Sequence, residues 1–331
     1  MIYKLKDLVN INYGKDHKKI SNGNIPVYGT GGLMRYVDKY IYDGNSVLIP
    51  RKGSLNNVKF VQGKFWTVDT MFWTKINSEI VLPKYLYYCI SKINLAALNV
   101  GSAVPSLTVK ILNELQFNIP NIDEQQKIIN KIAPIEAKII LNNQINDNLA
   151  KLKTEIFNNM FDSKLKYHLN GKLQDITKIT TGKRPRVKSN IRKSNNKYPI
   201  IGASKIMGYT SEYLYNDSII TTGRVGTHGI VQRFREPVWV SDNSFVFITE
   251  HEDYLYEILS HRINYDAINT GSTQPLITQT NLKNIDIYVP TKKQFQNFEN
   301  KTFFITTQQF IFKQQNNLLR RIKSQMLKKF F

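Results

Sequence analysis

The sequence predicts an α+β chain built as a tandem pseudo-twofold duplication, in which two mixed globular units alternate with two long helices paired antiparallel as a coiled coil. Three observations carry this expectation. An internal repeat runs the length of the chain, each copy opens with short β-branched and aromatic segments, and each copy closes on a long polar segment with an apolar stripe at helical spacing.

The repeat begins with "KLKDLVNINYGK" (4–15) against "KLQDITKITTGK" (172–183), which aligns Leu5/Leu173, Asp7/Asp175 and Gly14/Gly182. It continues through Pro26/Pro199, Gly29/Gly202, Met34/Met207, Tyr36/Tyr209, Tyr40/Tyr213, Tyr42/Tyr215, Arg51/Arg224, Gly53/Gly226, Trp66/Trp239, Asp69/Asp242 and Phe72/Phe245. It ends with "GSAVPSLTVKILNELQFNIP" (101–120) against "GSTQPLITQTNLKNIDIYVP" (271–290), aligning Pro105/Pro275, Thr108/Thr278, Leu112/Leu282 and Pro120/Pro290. Each copy is about 165 residues long, a period that makes whole domains rather than solenoid turns the repeated object.

Within each copy the elements read alike. "NSVLIPR", "NVKFVQ" and "TMFWTKI" in the first copy, and "SIITTGR", "GIVQRF" and "SFVFIT" in the second, are bounded by Gly, Asn and Asp and predict strands. "LPKYLYYCISKINLAAL" (82–98) and "HEDYLYEILSHRINYDAI" (251–268) have helical apolar spacing. "LQFNIP" and "IDIYVP" then predict one more strand in each copy. Trp66 and Trp239 read as core anchors, Asp69 and Asp242 as turn or buried hydrogen-bond acceptors, and Tyr36, Tyr40 and Tyr42 as cross-strand packing.

The segment 122–161 places Ile128, Ile132, Ile135, Ile139, Ile145, Leu149, Leu152, Ile156 and Met160 on one stripe. Pro134 removes a backbone donor and clashes with the preceding turn, so a short helix to residue 132 and a long one from 135 are expected. In the second copy Ile305, Phe312, Leu319, Ile322, Met326 and Phe330 form the comparable stripe. Two roles suit these stripes: an ordinary domain core, or a seam in which each helix packs on the other. Residues 135–161 make a helix about 40 Å long, a little more than one turn of B-DNA, and length favours the second role.

With 331 residues the chain can bury two cores. Its 46 Lys+Arg against 25 Asp+Glu give a formal charge of +21, which favours a polyanion, nucleic acid first, as partner, although a general Lys, Asn and Ile bias also raises the count. A single cysteine, Cys89, excludes an internal disulfide and a cysteine-based zinc site, and the five histidines lack ligand spacing. No apolar run is long enough to span a bilayer and the N-terminus lacks signal-peptide features, so a cytoplasmic protein is expected. "TTGKRP" (180–185) has the Gly-Lys of a phosphate loop without its upstream glycine or following hydroxyl. The Asn/Asp-Pro-Pro-aromatic stretch of adenine methyltransferases is missing, as is a clear carboxylate cluster with lysine for metal-dependent DNA cleavage.

A variable unit closed by "GS..P" and a final strand with its proline, followed by "QQKI", "AKIILNNQINDNL" and "IFNNMF", with the arrangement repeated in one chain, resembles the specificity subunit of type I restriction-modification systems. The resemblance covers essentially the whole chain. It implies a target recognition domain at 1–120, a first spacer helix region at 121–161, a second target recognition domain at 162–290 and a second spacer region at 291–331. It further implies that each recognition domain reads one part of a split double-stranded DNA sequence, that the helices set the gap, and that the chain itself is not an enzyme. Catalysis would belong to two methyltransferase subunits using S-adenosylmethionine and to restriction or motor subunits using ATP and Mg, with no cofactor or metal in this chain. The alternatives are the recognition subunit of a combined type II restriction-methylation enzyme, or a decoy or assembly protein that occupies the methyltransferase without reading DNA.

The candidate DNA-binding residues lie in loops. Lys183, Arg184, Arg186 and Lys188 belong to the acid-free stretch "GKRPRVKSNIRKSNNK" (182–197), which suits phosphate tracking or is a solvated basic loop; Lys15 sits in its shorter, mixed-sign counterpart. Arg51 and Arg224 stand beside a glycine at matched positions, suited either to a bidentate contact with guanine or to tying down a turn. Ser54 and Asn56 in the first copy, and Thr227 and His228 in the second, differ between the copies, which predicts two different half-sites; Lys52 is a further candidate in the same stretch. In the "GS..P" loop, Gly101 with Ser102 and Gly271 with Ser272 can offer donors to phosphate or form a helix-terminal turn, and Ala103 and Val104 against Thr273 and Gln274 are the variable reading positions.

Overall fold

The computed structural model describes residues 1–331 except 102, 103 and 272–274. The chain divides into two compact units, Met1–Asn142 with Gln315–Phe331, and Asn143–Gln314.

Unit 1 contains β1 (Ile2–Lys4), α1 (Leu5–Leu8), β2 (Val9–Tyr13), β3 (Asn22–Gly29), β4 (Gly32–Val37), β5 (Tyr42–Asp43), β6 (Ser46–Pro50), β7 (Lys59–Val61), β8 (Lys64–Thr67), β9 (Met71–Ile76), α2 (Pro83–Ser91), α3 (Val109–Asn113) and β10 (Gln116–Asn118), and the first part of α4 (Ile122–Tyr167). Unit 2 contains the rest of α4, then β11 (Gly171–Lys172), β12 (Lys178–Thr181), β13 (Tyr198–Ile201), β14 (Ile206–Thr210), β15 (Ile219–Gly223), β16 (Gln232–Phe234), β17 (Trp239–Val240), β18 (Ser244–Ile248), α5 (Glu252–His261), α6 (Gln279–Lys283), β19 (Asp286–Ile287) and much of α7 (Lys292–Phe330).

The duplication holds at the level of topology. The sheet β2-β9-β6-β7 has its counterpart in β12-β18-β15-β16, the sheet β4-β3-β8-β5 in β14-β13-β17, and the ribbon β1-β10 in β11-β19. In both units a parallel pairing, β3 with β8 and β13 with β17, joins otherwise antiparallel strands. The repeated residues are the ones this frame needs. Leu5, Leu112, Leu173 and Leu282 are fully buried. The Asp7 and Asp175 carboxylates accept from the backbone N–H of Lys4 (2.9 Å) and Lys172 (2.7 Å), and Thr108 and Thr278 cap α3 and α6 through their hydroxyls. Trp66 and Trp239 donate their indole N–H to the carbonyls of Lys15 (2.9 Å) and Lys183 (2.7 Å). Of the tyrosines expected to pack across strands, Tyr42 stacks on Trp73 at 4.8 Å, whereas Tyr36 and Tyr40 face solvent.

The expected break at Pro134 does not occur: α4 is one helix with Pro134 inside it. A proline here sacrifices one hydrogen bond and costs about 3 kcal/mol, but the turns on both sides are anchored. Ile129 and Ile132 enter the unit 1 core just before it. Just after it, Glu136 pairs with Lys84 and Lys323, each at 2.7 Å, and accepts from the Tyr88 hydroxyl at 3.0 Å.

The two long helices run antiparallel within each unit. In unit 1 Glu136 faces Lys323 and Asn142 donates to Asn316 at 2.9 Å; in unit 2 Gln309 donates to Asn146 and Lys153 lies against Thr306. Both roles weighed for the apolar stripes are realised. Ile128, Met326 and Phe330 pack on the unit 1 core, and Ile156 and Met160 on the unit 2 core. Between these ends Asn142 and Lys153 are buried against Asn316 and Thr306, Ile305 of the expected second stripe is buried as well, and Leu152 of the first is exposed.

Candidate nucleic-acid interface

In unit 1, segments distant in sequence finish side by side. β2 exits through Gly14 and Lys15, whose N–H groups donate to Met71 O (3.0 Å) and Thr67 O (2.9 Å). Gly14 has no room for a side chain, because a Cβ would run into the Val68 carbonyl. β6 exits through Arg51, whose N–H donates to Thr70 O (2.8 Å) and whose carbonyl accepts from Leu107 N–H (2.9 Å). Gly53, at φ +83°, then donates to Pro105 O at 2.9 Å. The Arg51 turn and the "GS..P" loop are therefore hydrogen-bonded to each other.

Unit 2 repeats the arrangement bond for bond. Gly182 donates to Ser244 O (3.1 Å), Lys183 to Val240 O (2.9 Å), Arg224 to Asn243 O (2.8 Å), Ile277 to Arg224 O (3.0 Å) and Gly226, at φ +76°, to Pro275 O (2.9 Å). Only glycine takes this left-handed backbone without strain, which accounts for Gly53 and Gly226 at matched positions.

The sequence reading missed a pair of residues that close these loops. The Asn99 side-chain oxygen accepts from Gly101 N–H (2.9 Å) and Ser106 N–H (2.7 Å). Asn269 does the same for Gly271 (3.0 Å) and Leu276 (2.8 Å). Asparagines at matched positions two residues before each Gly-Ser were the available signal. Their consequence is a correction: the Gly101 and Gly271 N–H groups, expected as possible phosphate donors, are bonded within the loop.

The other candidates fall as follows. Lys15, Lys52 and Ser54 are exposed, and so is Val104. Arg51 is half-buried; its guanidinium donates to Asp69 O at 3.2 Å and lies 5.2 Å over the Tyr13 ring, so it ties the turn. Asn56 uses its amide on Asn94 (3.1 Å) and Ala96 N–H (3.0 Å). In unit 2, Lys183, Arg184, Arg186 and Lys188 are exposed on a segment held to β14 by reciprocal backbone bonds between Ser189 and Tyr209, both 2.8 Å. Arg224 is half-buried and Thr227 exposed. His228 stacks on Tyr265 and sits 3.9 Å from the Asp266 carboxylate. Ser102, Ala103, Ser272, Thr273 and Gln274 lie outside the described residues.

Away from these loops, unit 2 buries a charged cluster. Asp253 accepts from Arg233 (2.7 Å), from the Thr302 and Thr306 hydroxyls (2.7 Å each) and from Lys153 (3.5 Å). Burial works against its charge, yet Arg233, Lys153 and the two hydroxyls outweigh it and hold the carboxyl below its ordinary value. Glu299 is pushed up to about 7, by burial first and the neighbouring Asp253 second. Among the described residues no group of three or more His, Cys, Asp or Glu is placed to hold a metal ion, and no helix is long and apolar enough to cross a membrane.

Comparisons with known proteins place this frame. The chain is 27% identical over 120 residues to a putative type I restriction enzyme specificity subunit of Haemophilus influenzae, and 31% identical over 103 residues to the HindI specificity subunit of the same species. These segments cover 35% and 29% of this chain, and only 31% and 22% of the relatives, so each match spans about a third or less of the relative's length. The crystal structure of a type I restriction-modification S subunit from M. genitalium has the same fold, with a TM-score of 0.64 at 18% identity over 100% of this chain and 96% of that one. The model of the type I restriction modification DNA specificity domain matches twice, over residues 1–151 and 169–329, and the chain belongs to that family.

Proposed function

We propose that this chain is the noncatalytic specificity subunit of a type I restriction-modification complex in the cytoplasm, reading an asymmetric, two-part DNA target. The observation that carries this reading is the pair of loop clusters just described. Their backbone bonds are the same in both units, whereas the side chains they present differ: Lys52, Ser54 and Asn56 in one, Thr227 and His228 in the other. A shared frame with altered tips is what two related readers of unlike half-sites require. Exposed lysines and arginines supply the sequence-independent attraction to phosphate, and the tips supply discrimination at base edges.

Methyl transfer belongs to partner methyltransferase subunits, two in number, that use S-adenosylmethionine; cleavage belongs to further subunits that use ATP and Mg. The paired helices set the length of the gap between half-sites. Mapping methylated bases in DNA from cells that carry this chain with its methyltransferase tests the reading. An asymmetric motif with an unspecified gap is expected, and a contiguous or palindromic motif, or methylation that does not depend on this chain, would refute it.

A further inference from the structure

Each unit carries an exposed apolar step at a β-hairpin, and it stands beside the loop cluster. In unit 1 the β3–β4 hairpin presents Leu33 (50% exposed) and Met34 (55%); in unit 2 the β13–β14 hairpin presents Ile206 (51%) and Met207 (38%). Solvent-facing apolar residues scattered singly need no explanation, but the same step retained in both copies does.

The methionines are held in place. Met34 lies over Gly29 and Met207 over Gly202, so closely that a Cβ on either glycine would fall 2.6 Å and 2.5 Å from the methionine sulfur. The repeated glycines thus make a bare patch on which each thioether rests.

The hairpins are also tied to the loops. The Asn57 amide donates to the Thr30 carbonyl, and the Thr30 hydroxyl faces Gly53. In unit 2 Gln232 donates to Gly202 O at 3.4 Å, and Ala203 abuts Gly223, the residue before Arg224. The surroundings are basic. Lys59 reaches Gly32, and Lys15 and Lys52 are exposed in the same unit beside the acids Asp16 and Asp69, with Asp38 at the far end of the hairpin; Lys183, Arg184, Arg186, Lys188 and Lys205 are exposed in unit 2, with Asp242 beside Arg224 and Glu212 just after β14.

We infer that Met34 with Leu33, and Met207 with Ile206, are apolar base-contacting positions, one step per half-site, that meet duplex DNA in a groove. The inference rests on the proposed DNA-reading role. Charge decides the occupant: a hydrophobic protein partner has no need of a cationic surround, whereas DNA offers thymine methyls and base steps to apolar side chains inside a cage of phosphates. Methionine suits the task, being polarisable and adaptable.

The test uses the full chain with its methyltransferase and a duplex carrying the mapped target, titrated by fluorescence anisotropy across a salt series. Met34→Ala should weaken binding roughly five- to ten-fold, the low end of the cost of one mismatched base pair. The slope of log affinity against log salt should stay unchanged, because no phosphate contact is lost. Base substitutions should lose their cost at one position of one half-site only, Met207→Ala should act on the other half, and Met34→Leu should retain binding. Unchanged affinity, a reduced salt slope, equal effects at both halves, or lost methyltransferase association with DNA affinity intact would each overturn the inference while leaving the DNA-reading role standing. A wild-type complex with no sequence preference would overturn both.

Discussion

Replacing Asp253 with alanine tests whether the buried charges of unit 2 act as one network. The substitution removes the acceptor of Arg233 (2.7 Å), Thr302, Thr306 and Lys153 (3.5 Å) together. Arg233 and Lys153 have side chains only 7% and 3% exposed, and their remaining acidic neighbours, Glu252 and Glu257, stand 4.0 Å away. Water cannot replace the lost acceptor at such depth, so two cations are left poorly compensated. Removing one partner of a buried pair costs about 3–5 kcal/mol. For a unit of this size each kcal/mol lowers the midpoint by about 2–4 °C, so a fall of roughly 6–20 °C is expected in differential scanning calorimetry of the full chain. A loss below about 1 kcal/mol, the range of solvent-exposed pairs, would refute the network. Lys153→Met in the Asp253→Ala background should recover part of the loss, since it removes one stranded charge.

Glu299 introduces an opposite pH dependence. Its folded pKa of about 7 lies above the ordinary 4.5, so its contribution is fully present below 4.5 and is lost as pH rises through 7; Glu299→Gln should flatten the thermal midpoint across that window, and an unchanged slope would reject the assignment. Asp253 has the reverse sign, its contribution being present above the unfolded pKa of about 3.9 and lost in more acidic solution. Arg51→Ala should relax selectivity in one half-site of the methylation motif and Arg224→Ala in the other, whereas equal losses at both halves would refute independent reading. Removing one matched turn, about 5.4 Å, from α4 and α7 should change the tolerated gap between half-sites, and an unchanged gap would reject the spacer role.

Much of the fold was legible because the chain states it twice. A residue kept in both copies marks a demand of the frame, and the structure supplies the demand: Asp7 and Asp175 bond a backbone N–H, Gly14 and Gly182 lie against carbonyls, and Trp66 and Trp239 each hold the carbonyl of a lysine. The strands also followed from local pattern, since β6 and β15 are buried along their whole length and therefore read as continuous apolar or β-branched runs. Local reasoning failed where distant groups outweighed it. Pro134 argued for a break, yet the anchors on Glu136 come from Lys84, Tyr88 and Lys323, which no local window contains. Lys153 is buried on a largely polar helix, and that burial is explained only by its acceptors Asp253 and Thr306, a hundred or more residues away.

By itself the sequence determined the duplication, the order of elements, the basic character and the family likeness, because periodicity, charge and repeated spacing are properties of the chain read in order. Tertiary structure alone decided that the Arg51 turn, the Asn99 loop and the Met34 hairpin converge, and that the inter-helix seam is polar at Asn142, Lys153, Thr306 and Asn316. Hydrogen bonds and ion pairs between residues dozens to hundreds of positions apart leave no local trace, since each partner taken singly resembles an ordinary surface residue until folding removes its water.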